Sequence, residues 1–295
     1  MNILDLHRRF RRYCALEEGL SPVTIKSMKS YVTTFVRRTK AENIGNITLD
    51  VLREFFYEGK EVHQWSYSHY VNHRKYMKKF LDWCVKDGYL KTNPALEIQK
   101  PKKPQSLPRR LTDIEAQKIL YTTFNYPWRY TFEMFRNYAI LATFLYTGLR
   151  CKELLELRVT DVNLSSGNIL VVNGKGTKDR NIPIHFKLKR ILQNYISEVK
   201  RLKKNSPYLF TGVQSEKPLS YKNISSICKK ISIETGVKFT PHCLRHTFGS
   251  VSVEQGLNVV KLQSIMGHSS LVSTMIYLKM SSKSLQESLN KLELF

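Results

Sequence analysis

The segment Lys100-Pro-Lys-Lys-Pro-Gln-Ser-Leu-Pro-Arg-Arg110 contains three prolines, five cations and no acid. A stretch this charged and this poor in regular backbone donors cannot run through a packed core. It reads as a basic linker over residues 98–110, between an N-terminal domain over 1–97 and a second domain over 111–295. The length of 295 residues points the same way, because single hydrophobic cores stop growing near that size. No apolar run approaches the roughly 18 residues of a membrane span. The first twelve residues mix Asp5 with four arginines and carry no apolar export signal. The five cysteines are odd in number and never paired as C-x-x-C, which supports neither a disulfide framework nor a zinc knuckle. A cytoplasmic, reducing setting without membrane attachment is the expectation.

Charge narrows the partner. Lys and Arg number 48 against 24 Asp and Glu, a net +24. The excess is +6 over residues 1–97, +5 over 98–110 and +13 over the remainder, so it is not the property of one tail. Cations on both domains suit a protein that meets double-stranded DNA from two sides, in keeping with a nucleoid-associated role. RNA or an acidic membrane surface would satisfy the charge alone equally well.

The first domain reads as all-helical. Ser21-Pro22 places an N-cap before a proline at the first helical position. Ile25, Met28, Val32 and Phe35 then recur at helical spacing for about four turns. A second long helix is expected over Ser66 to Asp87, with Tyr70, Tyr76, Met77, Phe80, Leu81 and Val85 inward, and Gly88 and Asn93-Pro94 end it. Shorter helices near the N-terminus and over Leu49 to Tyr57 complete the domain.

In the second domain Thr112 and Glu115 form a capping box. Helices are expected over 132–146, 150–157, 187–203, 220–235, 242–255, 258–266, 270–278 and 284–293. The last opens on Ser284 and Glu287 and carries Leu285, Leu289 and Leu292 on one stripe. Only 169–172 and 181–184 read as strands, joined by a Gly-Lys-Gly turn. The fold class is therefore mainly α, a helical domain followed by a mixed helical domain with a small β-sheet.

Four short groups carry chemistry: Thr147-Gly-Leu-Arg150-Cys-Lys-Glu153, Gly174-Lys175-Gly176-x-Lys178-x-Arg180, His242-Cys-Leu-Arg245-His246, and Gly267-His268 with Tyr277 nine residues on. A P-loop is excluded, since Ile169 stands where that motif needs glycine and Gly176 where it needs Ser or Thr. His242 and His246 have the i, i+4 spacing of zinc ligands, but no Glu follows His242 as H-E-x-x-H requires, and no metal or cofactor is expected. Tyr277, one of 16 tyrosines and flanked by Ile276 and Leu278, would by itself be a core aromatic.

In this order and spacing the groups resemble the tyrosine recombinase (phage integrase) family, and its compact Xer-like members in particular. Gly19-Leu-Ser-Pro-x-Thr24 with Tyr31 and Phe35 resembles the opening of that family's SAM-like core-binding domain, and Thr92-Asn-Pro-Ala95 resembles its close. The resemblance spans essentially the whole chain. It implies that Arg150 and Arg245 clamp a scissile phosphate, for which a rigid guanidinium fork is suited. It implies that Lys175 protonates the leaving 5′ oxygen, with Lys178 as a local rival, and that Tyr277 is the nucleophile. His242 would exchange a proton with Tyr277 or assist the phosphate, and His268 would donate to a non-bridging oxygen. Glu153, on the face of Arg150, would orient the basic groups or form an ordinary ion pair, and His246 would support the site from beneath.

Thr24, Lys26, Arg74, Lys75, Lys78, Lys79, Lys178 and Arg180 are candidate DNA contacts, the N-terminal ones competing with a merely solvated basic face. The resemblance further implies a homodimer on one recombination site, a homotetramer in the synapse, and a tail helix that docks in a neighbouring protomer; folding back onto its own domain is the alternative. The expected reaction is strand exchange through a 3′-phosphotyrosyl bond and a Holliday junction, for Xer-like dimer resolution or mobile-element integration and excision. A type IB topoisomerase, or a non-catalytic DNA-binding protein of the same fold, are the alternatives.

Overall fold

Each helix of the first unit starts where the sequence supplies a side-chain acceptor for an orphan backbone N–H. In the computed structural model, which describes residues 1–104, 108–172, 179–268 and 270–280, α1 spans Ile3–Leu16 and is capped by Asn2. α2, Pro22–Thr39, is capped by Ser21, and α3, Leu49–Glu61, by Thr48. α4, Tyr67–Lys86, is capped by Ser66. Lys175, Lys178 and the helix expected over 284–293 lie outside the described residues.

The chain divides into two compact units, Met1–Ser106 and Leu107–Phe295. Phe10, Phe35, Phe55, Phe56 and Phe80 fill the first unit's core and are at most 1% exposed. Met28, Val32, Met77 and Leu81 join them, while Ile25, Tyr70 and Tyr76 pack around the edge. α3 runs past Tyr57 to Glu61, and Gly59 within it admits the Trp65 ring: a Cβ there would lie 2.5 Å from Trp65 Cε3. α2 is likewise longer than expected, 18 residues ending at a left-handed Lys40.

The basic linker is packed at both ends. Ile98 is 4% exposed in the first core, Arg74 Nε donates to its carbonyl, and Tyr70 donates to the Gln99 carbonyl. In the second unit Arg110 pairs with Glu254 at 2.6 Å, and Leu111 is fully buried with its N–H on Thr247 Oγ1.

The second unit is built around α6, Thr131–Thr147, which is buried on nearly every face. α5 (Asp113–Asn125), α8 (Phe186–Arg201) and α10 (Pro241–Glu254) pack against it. A short α7, Cys151–Glu156, follows the left-handed Gly148 that ends α6. α9 is Tyr221–Thr235, α11 is Val259–Met266 and α12 is Val272–Met280.

The sheet has three antiparallel strands in the order β1-β2-β3, not the two expected: β1 Val162–Asn163, β2 Asn168–Val171 and β3 Arg180–Pro183. β1 is too short for its alternation to register in sequence. Ile169 faces Ile182, and both are buried. Pro183 is accommodated because β3 is an edge strand, where a missing N–H breaks no ladder. Among the described residues no helix is long and apolar enough to cross a membrane.

Candidate active site

α10 supplies three of the candidate residues from one start signal. Thr240 caps the helix, Pro241 opens it, and His242, Arg245, His246 and Gly249 follow at i, i+3, i+4 and i+7 along one face. That face meets α12. The Tyr277 hydroxyl lies 3.1 Å from His246 Nδ1, and the ring is 1% exposed. Gly249 makes the approach possible, since a Cβ there would stand 2.6 Å from Tyr277 Cζ. The family resemblance gives His242 either a proton exchange with the hydroxyl or a phosphate contact, and His246 a supporting place beneath the site. The structure gives the hydrogen bond to His246, with the His242 ring centroid 4.4 Å from it, because one helical turn separates two residues of equal chemistry.

His268 is held in place after α11. Its N–H donates to the Gln263 carbonyl, and Gln263 Nε2 returns a bond of 3.1 Å to the His268 carbonyl. Its Nδ1 is 2.8 Å from Thr274 Oγ1, one turn before Tyr277, and its ring lies nearly parallel to the tyrosine with centroids 6.3 Å apart.

The two candidate clamp arginines differ in exposure. Arg245 is 3% exposed and donates to the carbonyls of Gly148, at 2.5 Å, and Met266, at 2.9 Å. Arg150, whose side chain is 43% exposed, donates to Glu153 Oε1 at 2.8 Å and to the Gly267 carbonyl at 2.6 Å. Arg180, grouped in the sequence with the DNA contacts, turns inward: its side chain is 8% exposed and forks onto both Glu153 oxygens, at 2.8 and 3.1 Å. Nothing in a G-K-G-x-K-x-R run announces that burial, because the partner lies 27 residues away.

Burial and cation crowding set the protonation states. Burial, then Arg150, lowers Arg245 to about 10. His246 is pushed down to about 4 by burial, then by His242 and Arg245. His268 is pushed to about 4 by burial, then by Arg245 and Arg150. His242 is lowered by burial and the same arginines. All three imidazoles are thus biased toward the neutral form. Burial raises the Tyr277 phenol, partly opposed by Arg245 and Arg150. Burial works to raise the Glu153 carboxyl, but hydrogen bonds and charge from Arg180 and Arg150 outweigh it and hold the group below the usual range.

Among the described residues no three His, Cys, Asp or Glu side chains converge to hold a metal ion. The site offers a phenol, a neutral imidazole at its hydroxyl and guanidinium groups nearby, a set suited to attack on a phosphodiester. Sequence reasoning missed Gly249, whose one signal is a glycine inside a helix, where it is unfavourable unless something approaches closely. It also missed Thr274 and Gln263, for which no sequence signal exists.

The candidate DNA contacts of the first unit are partly occupied. Thr24 Oγ1 is 3.0 Å from Ser21 Oγ in the first turn of α2, and Lys26 is exposed beside it. On α4, Arg74 is tied to the Ile98 carbonyl, Lys78 pairs with Asp82 at 2.7 Å, and Lys79 with Glu18 at 2.5 Å. Lys75 is exposed, its ammonium 5.6 Å from the Tyr76 ring centroid. Exposed pairs such as Lys78 with Asp82 contribute only about 0.3–0.5 kcal/mol, so exchange onto a phosphate costs little.

The sequence pattern of the phage integrase family matches residues 109–284. Tyrosine recombinase XerA of Pyrococcus horikoshii is 36% identical over 202 residues, which cover 68% of this chain and 67% of that protein. XerD of Oceanobacillus iheyensis is 30% identical over 278 residues, 91% of each. Among solved structures, a crystal structure of XerA recombinase superposes with a TM-score of 0.56 at 25% identity, covering 97% of this chain and 98% of that one. The fold is also that of a lambda integrase dimer bound to a COC′ core site, with a TM-score of 0.76 at 18% identity over 94% of this chain and 77% of that one. Motif order, length and architecture agree, and the chain belongs to the phage integrase family as an Xer-like tyrosine recombinase.

Proposed function

We propose that the chain cuts and rejoins DNA at a specific site through a covalent bond between Tyr277 and the 3′ phosphate. The observation that carries this is the Tyr277 hydroxyl on the Nδ1 of an imidazole kept neutral, beside Arg245 and Arg150. The phenol oxygen attacks phosphorus while its proton passes to His246, with His242 next in line. The bond from phosphorus to the 5′ oxygen breaks, and that oxygen leaves as a hydroxyl after receiving a proton, a role the family resemblance gives to Lys175. Arg150 and Arg245 offset charge on the non-bridging oxygens, and His268 donates a hydrogen bond there. The phosphotyrosyl ester conserves the energy of the broken bond, so a new 5′ hydroxyl reverses the step without ATP. Sequential exchange of this kind makes and resolves a Holliday junction.

The dimer named for lambda integrase on its core site supports two protomers per site, and the family supports a tetramer of two such sites joined by exchanged tail segments over 284–293. Xer-like dimer resolution and mobile-element integration or excision both use this reaction. The test is a nicked suicide substrate offered without magnesium, followed by SDS gel analysis. A protein-DNA adduct is expected from the native chain and none from Tyr277→Phe. Relaxation of a supercoiled plasmid that carries no special site would instead indicate topoisomerase activity.

A further inference from the structure

A helix ends with carbonyls that no N–H of its own can reach, at the negative pole of its dipole. In α11 the turn at Gly267, with φ +63°, satisfies the carbonyls of Gln263 and Ser264 through the backbone N–H groups of His268 and Gly267. The next three are each taken by a different arginine. Arg180 Nε donates to Ile265 at 2.8 Å, Arg245 Nη2 to Met266 at 2.9 Å, and Arg150 Nη2 to Gly267 at 2.6 Å. One turn of backbone therefore sets the orientation of both candidate phosphate clamps, and the third guanidinium closes the set from inside.

Arg180 has its Nε on this turn and both terminal nitrogens on Glu153, whose Oε1 also holds Arg150 and whose Oε2 accepts the Arg150 N–H. The guanidinium lies directly against the turn, since a Cβ at Gly267 would stand 2.8 Å from Arg180 Nη1. Resting on the functional reading above, we infer that Arg180 is a positioning residue for DNA cleavage and not a DNA contact. It neutralises Glu153, secures the last turn of α11, and through both holds Arg150 and Arg245 at the separation that a phosphate requires. Lysine at 180 can reach either Glu153 or the Ile265 carbonyl, but its single ammonium cannot reproduce the fork that reaches both.

The experiment uses the full chain with Arg180→Lys and Arg180→Met, melting temperatures measured first. DNA affinity is then read by gel shift, and adduct formation in single turnover at saturating protein on the nicked substrate. The expected result is a Kd changed by less than about threefold and a cleavage rate lowered about 100-fold in the Met variant, as for a clamp displaced by about 1 Å. Arg180→Lys falls between that and the native chain. Combined with Arg150→Lys, the Met substitution costs less than about tenfold more, because both act through one clamp. A native saturated rate in a folded variant, a loss confined to Kd, or fully multiplicative losses in the double variant overturns the inference. If Arg180→Met does not fold, Arg180→Lys decides by the same rate and affinity measurements. A native chain that forms no adduct, or an adduct that survives Tyr277→Phe, overturns the functional reading and the inference with it, and is seen before any Arg180 variant is made.

Discussion

Gly249 and Gly267 meet opposite demands at the level of single residues. Gly267 needs its left-handed backbone and the space taken by Arg180, whereas Gly249 sits in ordinary helix and needs only the missing side chain, so that the Tyr277 ring can lie against α10. Gly249→Ala therefore tests packing without backbone strain. It should improve local helix propensity yet lower stability by about 1–3 kcal/mol through overpacking against the ring. Denaturant unfolding measures the stability, and adduct yield should fall with it. The residues that resemble the family's motif were readable in sequence because order and spacing identify them together. The bond between His246 and Tyr277 was not, because His242 and His246 share a face and sequence does not say which one α12 reaches.

At the level of elements, α6 links the core to the chemistry. It is the helix against which α10 lies, and Ile140 at its middle is fully buried. Ile140→Ala should cost about 2–5 kcal/mol as a cavity that close packing cannot refill. Removing the α4 cap with Ser66→Ala should cost only about 1 kcal/mol. Chemical denaturation of both variants checks the order, and a larger loss at Ser66 would contradict it. Helices were legible because caps and a 3.6-residue apolar period are local. β1 was not, since two residues show no alternation, nor was the last turn of α3, where Gly59 lies against the Trp65 ring. The inward turn of Arg180 belongs with these, fixed by Glu153 and the end of α11 rather than by its own neighbours.

For the whole molecule, charge and buried imidazoles govern behaviour in solution. With a net +24, DNA affinity should fall by about 10³–10⁵ between 50 and 200 mM salt if six to ten phosphates are contacted. A flat salt dependence in gel shifts would contradict backbone binding. Acid should act on both units. Burial lowers His7 and His73 to about 3, and His246 and His268 stand at about 4. Such groups stay neutral in the folded chain while the unfolded chain protonates near 6.5, so stability is highest above that value and is lost progressively as pH falls from about 6.5 to about 4 for His246 and His268 and to about 3 for His7 and His73. Melting temperatures between pH 7.5 and 4 should fall over that window. The Tyr277 ring that Gly249 admits is closed to water, while Tyr57, Tyr121 and Tyr221 are more than half exposed. The phenol proposed to attack DNA is therefore among the least reactive toward reagents in solution: tetranitromethane should nitrate those three and spare Tyr277, and the onset of its labelling after cognate DNA is added would time the moment at which that phenol is uncovered.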